Sequence, residues 1–354
     1  MPDFVPGLEL ARGFYAEAVA PLLTDVRHSA ARLGEGSEVI GFDTSRSTDH
    51  GWGPRLQLFV EPGATDAVAA TLERRLPETF RGWPVRFGWD DVAVAHHVDV
   101  DTIDRWLERR VGIGRPASLG PIDWVATPQQ LLLEATAGEV FHDGLGELDP
   151  VRASLAWYPD AVWLWLLACQ WQRIGQEEAF VGRTAEVGDE LGSRLVAGRL
   201  ARDLIRLCFL LERHYAPYTK WLGSAFARLE ASTDVGPALE RALDARTYEA
   251  REGALAVAYE AVAKRHNALS VTDLVDPTVR PFYSRPFRVI VATRFVDACL
   301  ARVDDPLLRS LPLIGGIDQF ADSTDMATPE GARAARALFQ RASRVPVTAD
   351  LGEG

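Results

Sequence analysis

The segment Gly41-Phe-Asp43-Thr-Ser45-Arg46-Ser47-Thr-Asp49-His50-Gly51-Trp-Gly-Pro-Arg55 concentrates the side chains best suited to chemistry. It follows an apolar pair, Val39-Ile40, and leads into the alternating run Arg55-Leu-Gln-Leu-Phe-Val60. Carboxylates are natural ligands of a hard cation such as Mg²⁺. Hydroxyls and a guanidinium suit phosphate oxygens. The chemistry this predicts is metal-assisted transfer, with Asp49 and Asp43 on the metal and His50 beside them. Gly41, Ser45, Arg46, Ser47 and Arg55 would grip the phosphates of a nucleotide. The plainer alternative is a polar turn whose Asp and Ser side chains cap backbone groups. The loop is longer and more charged than a turn needs, and the functional reading is favoured.

Other candidates lie further along. His96-His97-Val-Asp99-Val-Asp101 offers a third carboxylate, but its two histidines would face opposite ways on a strand. Trp52, beside Gly-Pro, is either a stacking platform or plain packing. Glu178 closes a helix rich in Trp and Gln and could serve as a general base. Its plainer reading is an ordinary helix end. Lys220, one of only two lysines, sits between aromatics. It suits a phosphate contact or, equally, a surface lysine laid along apolar neighbours.

The elements that must position these groups read as follows. Leu8 to Leu33 has helical spacing of Leu10, Phe14, Ala18, Leu22 and Val26, stopped by Gly34 and Gly36. Glu38 to Phe42, Arg55 to Val60, Pro84 to Trp89 and Val92 to Val98 read as strands. Thr65 is expected to cap a helix running to about Leu76, and Asp101 or Thr102 to cap the helix Ile103 to Val111. After Gly114 strand signals stop, and long helices are expected, the clearest at Glu186 to Tyr215 with Leu191, Leu195, Leu200, Leu204, Cys208 and Leu211 buried. Ser284 to Arg302 also reads as helix. The expected fold is α+β: a small mixed-sheet domain over residues 1–114, a helical bundle over 115–344 and a frayed tail over 345–354.

Composition narrows the classes. A net charge of −12 over 354 residues disfavours a general nucleic-acid or membrane-surface binder. Three scattered cysteines form no zinc spacing or disulfide framework, which suits a reducing, cytoplasmic setting. The apolar run Ala161 to Cys169 is too short to span a bilayer.

A strand ending in Gly, a polar loop and an Asp ahead of a second strand resemble the core of the nucleotidyltransferase superfamily, which includes the kanamycin- and lincosamide-type adenylyltransferases. Over nearly its whole length the chain is also similar to an uncharacterised bacterial family with a helical domain of unknown function. The matching residues are Gly41-x-Asp43, Ser47-x-Asp49-His50-x-Trp52-Gly-Pro-Arg55, Gly138-Glu-Val-Phe141, Trp157-Tyr-Pro159, Gln172-Arg-Ile-Gly-Gln-Glu177, Gly188-Asp189-Glu-Leu-Gly192, Lys220-Trp221 and Gly316-Ile-Asp-Gln-Phe320. The resemblance implies transfer of a nucleotidyl group from ATP or another NTP, with Mg²⁺, to a small hydroxyl- or amine-bearing acceptor. One departure is plain: Gly51 stands where the superfamily's second metal carboxylate belongs. A binding module without transfer chemistry is therefore the alternative, as is metal-free acid–base work by His50, Asp43 and Arg46.

Overall fold

The computed structural model describes residues 3–90, 92–321 and 323–343. They form two compact units. The first comprises Met1–Leu119, Gln130–Ala156 and Thr328–Glu330; the second comprises Gly120–Gln129, Trp157–Ala327 and Gly331–Gly354. The first unit carries a mixed sheet and the second is mostly helical, an α+β architecture.

The first unit's sheet has five strands: β1 (His28–Arg32), β2 (Arg55–Val60), β3 (Arg86–Trp89), β4 (Val92–Asp101) and β5 (Glu139–Asp143). Their spatial order is β3-β4-β2-β1-β5. β1 runs antiparallel to β2 and β5, β2 is parallel to β4, and β3 is antiparallel to β4. Helix α1 (Gly7–Phe14) continues through a π turn and a 3₁₀ turn to Leu22. Helix α2 spans Thr65–Arg75, and α3 (Ile103–Trp106) runs on through a π turn to Val111.

Strand periodicity splits β2 into two faces. Leu56, Leu58 and Val60 join Leu10, Phe14, Ala30, Val68, Leu72 and Val98 in the core. Arg55, Gln57 and Phe59 face the other way, in register with His97, Asp99 and Asp101 of β4. That second face carries the polar groups described below.

Several elements differ from the sequence reading. The expected helix to Leu33 ends at Leu22, and His28-Ser-Ala-Ala-Arg32 is a fully buried strand paired on both edges. Its small side chains carry little strand preference; pairing and burial decide its state. The expected strand Glu38 to Phe42 is a run of turns, in which Gly34, Gly36 and Gly41 take φ of 79°, 138° and 71°. β5 was not expected, nor was the hairpin Arg280–Phe282/Arg285–Val289 in the second unit, where a helix was predicted from Ser284.

The second unit's main helices are Asp160–Glu177, Glu190–Leu211 and Tyr248–Ala268, around buried Trp163, Trp165 and Trp171. On Glu190–Leu211 the expected stripe is buried from Leu200 onward, but Leu191 and Leu195 are exposed. The tail 345–354 lies outside the described residues. Among those residues, no helix is long and apolar enough to cross a membrane.

Candidate functional site

The first unit holds a pocket of about 460 Å³, in the range of small-molecule sites. Two of its lining residues, Arg32 and Arg55, belong to a buried three-group ion cluster with Glu38. Glu38 Oε1 accepts from Arg32 Nε at 3.0 Å and Nη2 at 2.7 Å, and from Arg55 Nε at 2.9 Å and Nη2 at 2.7 Å. Arg32 and Glu38 are nearly inaccessible. Two guanidiniums share this one carboxylate, and Glu35 and Asp99 add carboxylates to the same pocket beside Arg110. The electrostatics reflect this crowding. Burial, then the neighbouring Arg55, lowers the Arg32 guanidinium to about 10. Burial alone would raise Glu38, but Arg32 and Arg55 more than offset it and hold its carboxyl below the usual range.

The glycine turn after β1 makes this cluster possible. At Gly36 an added Cβ would strike both guanidiniums and the Glu38 carboxylate. The Glu35 carbonyl accepts from Arg55 Nη2 at 3.2 Å and also from Arg32. Gly34 donates its N–H to the Glu134 carbonyl at 2.8 Å.

Gln57, His97 and Asp99 line the pocket from the polar face of β2 and β4, and Trp106 and Arg110 from the helical turn after β4. Gln57 Oε1 accepts the Leu33 N–H at 2.7 Å. Asp99 is held by Arg109 Nη2, with its oxygens at 2.9 and 3.1 Å. His96 reaches Glu73 of α2 at 3.3 Å, whereas His97 Nε2 lies 2.8 Å from the Phe87 carbonyl. The two imidazoles thus diverge as strand geometry requires, and burial lowers both. Trp89 and Val92 line the pocket from the β3–β4 hairpin.

The sequence candidates are dispersed. Arg55 lines this pocket. Asp43 Oδ2 accepts the Gly7 N–H at 2.7 Å and the Trp52 indole N–H at 3.4 Å, so it ties the start of α1 to the loop. Trp52 itself is core. Ser45–Asp49 is a 3₁₀ turn. Ser47 Oγ accepts the Thr44 N–H at 3.1 Å, the Ser45 carbonyl accepts from Thr48, and exposed Arg46 lies 3.5 Å from Asp49. These are capping contacts, the plainer of the two readings. Gly41 sits in an exposed turn. His50 Nδ1 lies 3.0 Å from Asp90 Oδ2.

Glu178 and Lys220 belong to the second unit. Glu178 is buried, and its carboxylate accepts the N–H groups of Ile290, Val291 and Ala292 at 2.7, 3.0 and 3.1 Å. Its oxygens are occupied by backbone, which leaves none for a general base. Lys220 is exposed, its ammonium 4.9 Å from the Trp221 ring centre.

A magnesium site does not fit these residues. Asp43 is engaged by α1 and Trp52, Asp99 is paired with Arg109, and Gly51 offers no ligand. Among the described residues no three His, Cys, Asp or Glu side chains cluster as a metal site. The sequence reading missed Arg32, Gly36, Glu38, Gln57, Trp89, Trp106 and Arg110. The signal was present in Gly34-Glu-Gly-Ser-Glu38, a glycine-rich turn beside charge. It was spent as a helix stop.

A family model described as a domain of unknown function, DUF4037, matches residues 124–222. No curated protein matches. Among solved structures, the chain is similar to a nucleotidyltransferase-like protein from Exiguobacterium sibiricum 255-15, at 13% identity and a TM-score of 0.31, over 84% of this chain and 89% of that one.

Proposed function

We propose that the first unit binds a small phosphorylated ligand of the nucleotide class, without a metal. The observation that carries this is the pair Arg32 and Arg55, which line the pocket and are both held by Glu38. Two guanidiniums fixed in place by a shared carboxylate and a glycine turn are preorganised donors for an anion. Aromatic and amide groups beside it suit an organic body attached to the phosphate.

The test is calorimetric titration of AMP and ATP, in Mg²⁺ and in EDTA, on wild type and Arg55→Gln. The expected result is binding indifferent to Mg²⁺ and weakened roughly tenfold or more in the variant, the scale of a lost charge-assisted contact. No binding by wild type in either condition overturns the reading. Mg²⁺-dependent release of pyrophosphate from an NTP, with a hydroxyl- or amine-bearing acceptor, would replace it with nucleotidyl transfer.

A further inference from the structure

We propose that Trp89 selects the ligand by stacking on a flat aromatic ring, and that Gly51 is what permits it. This rests on the phosphate seat proposed above and adds a specificity residue to it.

Trp89 ends β3 and is half-buried, with part of its indole lining the pocket. Its remaining surroundings fix the ring. His97 lies 4.9 Å away at 41°, Phe87 lies 5.9 Å away at 30°, and His50 meets it edge-on at 6.3 Å. Gly51 packs closest. A Cβ placed there would sit 3.2 Å from Cε2 and 3.5 Å from Cζ2 and Nε1 of the indole. Its φ of 57° is a left-handed conformation that most side chains disfavour. A side chain at position 51 would press on the indole and sit in a disfavoured backbone conformation, so glycine leaves the ring its place.

The neighbouring His50–Asp90 contact at 3.0 Å joins the same two segments. An indole held in this way, at the wall of a pocket, is suited to stacking and loses little freedom on binding. Trp106 also lines the pocket. The ligand class this assigns is an aromatic heterocycle bearing phosphate, in preference to a sugar phosphate.

The experiment compares AMP with ribose 5-phosphate on wild type, Trp89→Ala, Trp89→Phe and Arg55→Gln. The expected Trp89→Ala result is a tenfold or greater loss for AMP, the scale of one base–aromatic stack, with ribose 5-phosphate unchanged. Trp89→Phe should retain most AMP affinity, which separates stacking from a folding defect. If Trp89→Ala binds AMP like wild type while Arg55→Gln weakens both ligands, the Trp89 assignment fails and the phosphate seat stands. If Arg55→Gln leaves both ligands unaffected, or wild type binds neither, the seat falls and this assignment with it.

Discussion

At the scale of single residues, carboxylates decide the outcome, and their partners reveal their roles. Glu38 is shared by two guanidiniums, one of them fully enclosed. Removing one member of a buried ion cluster leaves uncompensated charge, which costs about 3–5 kcal/mol. Glu38→Ala should therefore lower stability by that amount in urea unfolding; a loss below ~1 kcal/mol would show that the cluster is not a structural unit. Asp43 and Asp49 part company in the same way. Asp43 receives the first N–H of α1, the task of a helix cap. Asp43→Ala should cost about 1 kcal/mol. Asp49 is exposed, with Arg46 as its ion-pair partner. Asp49→Ala should change neither stability nor ligand affinity, and a loss of Mg²⁺-dependent binding in that variant would restore the metal reading.

At the scale of elements, the sequence was legible where a segment's own pattern decided its state. β2 alternates, and it was found at its observed bounds. Asp101 or Thr102 is the expected cap of α3, and the Thr102 side chain accepts the Arg105 N–H at 3.3 Å; the cap expected at Thr65 is instead Ala64, with no side-chain bond. β1 was not legible, because Ser-Ala-Ala looks helical until β2 and β5 are brought alongside. The 43–50 loop is a related case. Polar residues of the 43–50 loop satisfy one another, and spacing cannot separate that from ligand binding. The pocket's groups come from β1, β2, the β3–β4 hairpin and α3, which converge only in the folded unit. Glu178 shows the same effect in the second unit, where it ties the end of Asp160–Glu177 to the residues after the Arg285–Val289 strand. Val291, at the centre of that grip, is a β-branched residue at φ 55°. Three backbone donors and a strained residue depend on one side chain, so Glu178→Ala should cost about 3 kcal/mol or more. A shift of the urea midpoint too small to measure would refute the account.

At the scale of the whole molecule, the two units share a response to pH. Burial pushes Glu134 in the first unit and Glu178 in the second up to about 7. Glu134 has Glu35 against it, with Arg32, Arg110 and the Gln130 amide opposing the shift. Glu178 is opposed by its three backbone donors and Arg294. A carboxyl whose folded value is raised holds a proton that the unfolded chain has already released. Its stabilisation is complete below the unfolded value near 4.5 and is lost as pH rises through 7. Histidines pull the other way. Burial lowers His28, His96, His97 and His266, the last to about 4, so their contribution grows as pH rises towards 6.5. Carboxyls held below their usual range, such as Glu38, titrate lower still. Because the histidines act with the opposite sign over much of the same range, the glutamates are read from the difference between wild type and each variant, in which the other groups cancel. The wild-type thermal midpoint, taken relative to Glu134→Gln or to Glu178→Gln, should fall as pH rises from about 5 to 8. A difference that stays constant with pH would mean that the carboxyl is already ionised in the folded state. The backbone donors at Glu178 and the arginines around Glu134 would then outweigh burial.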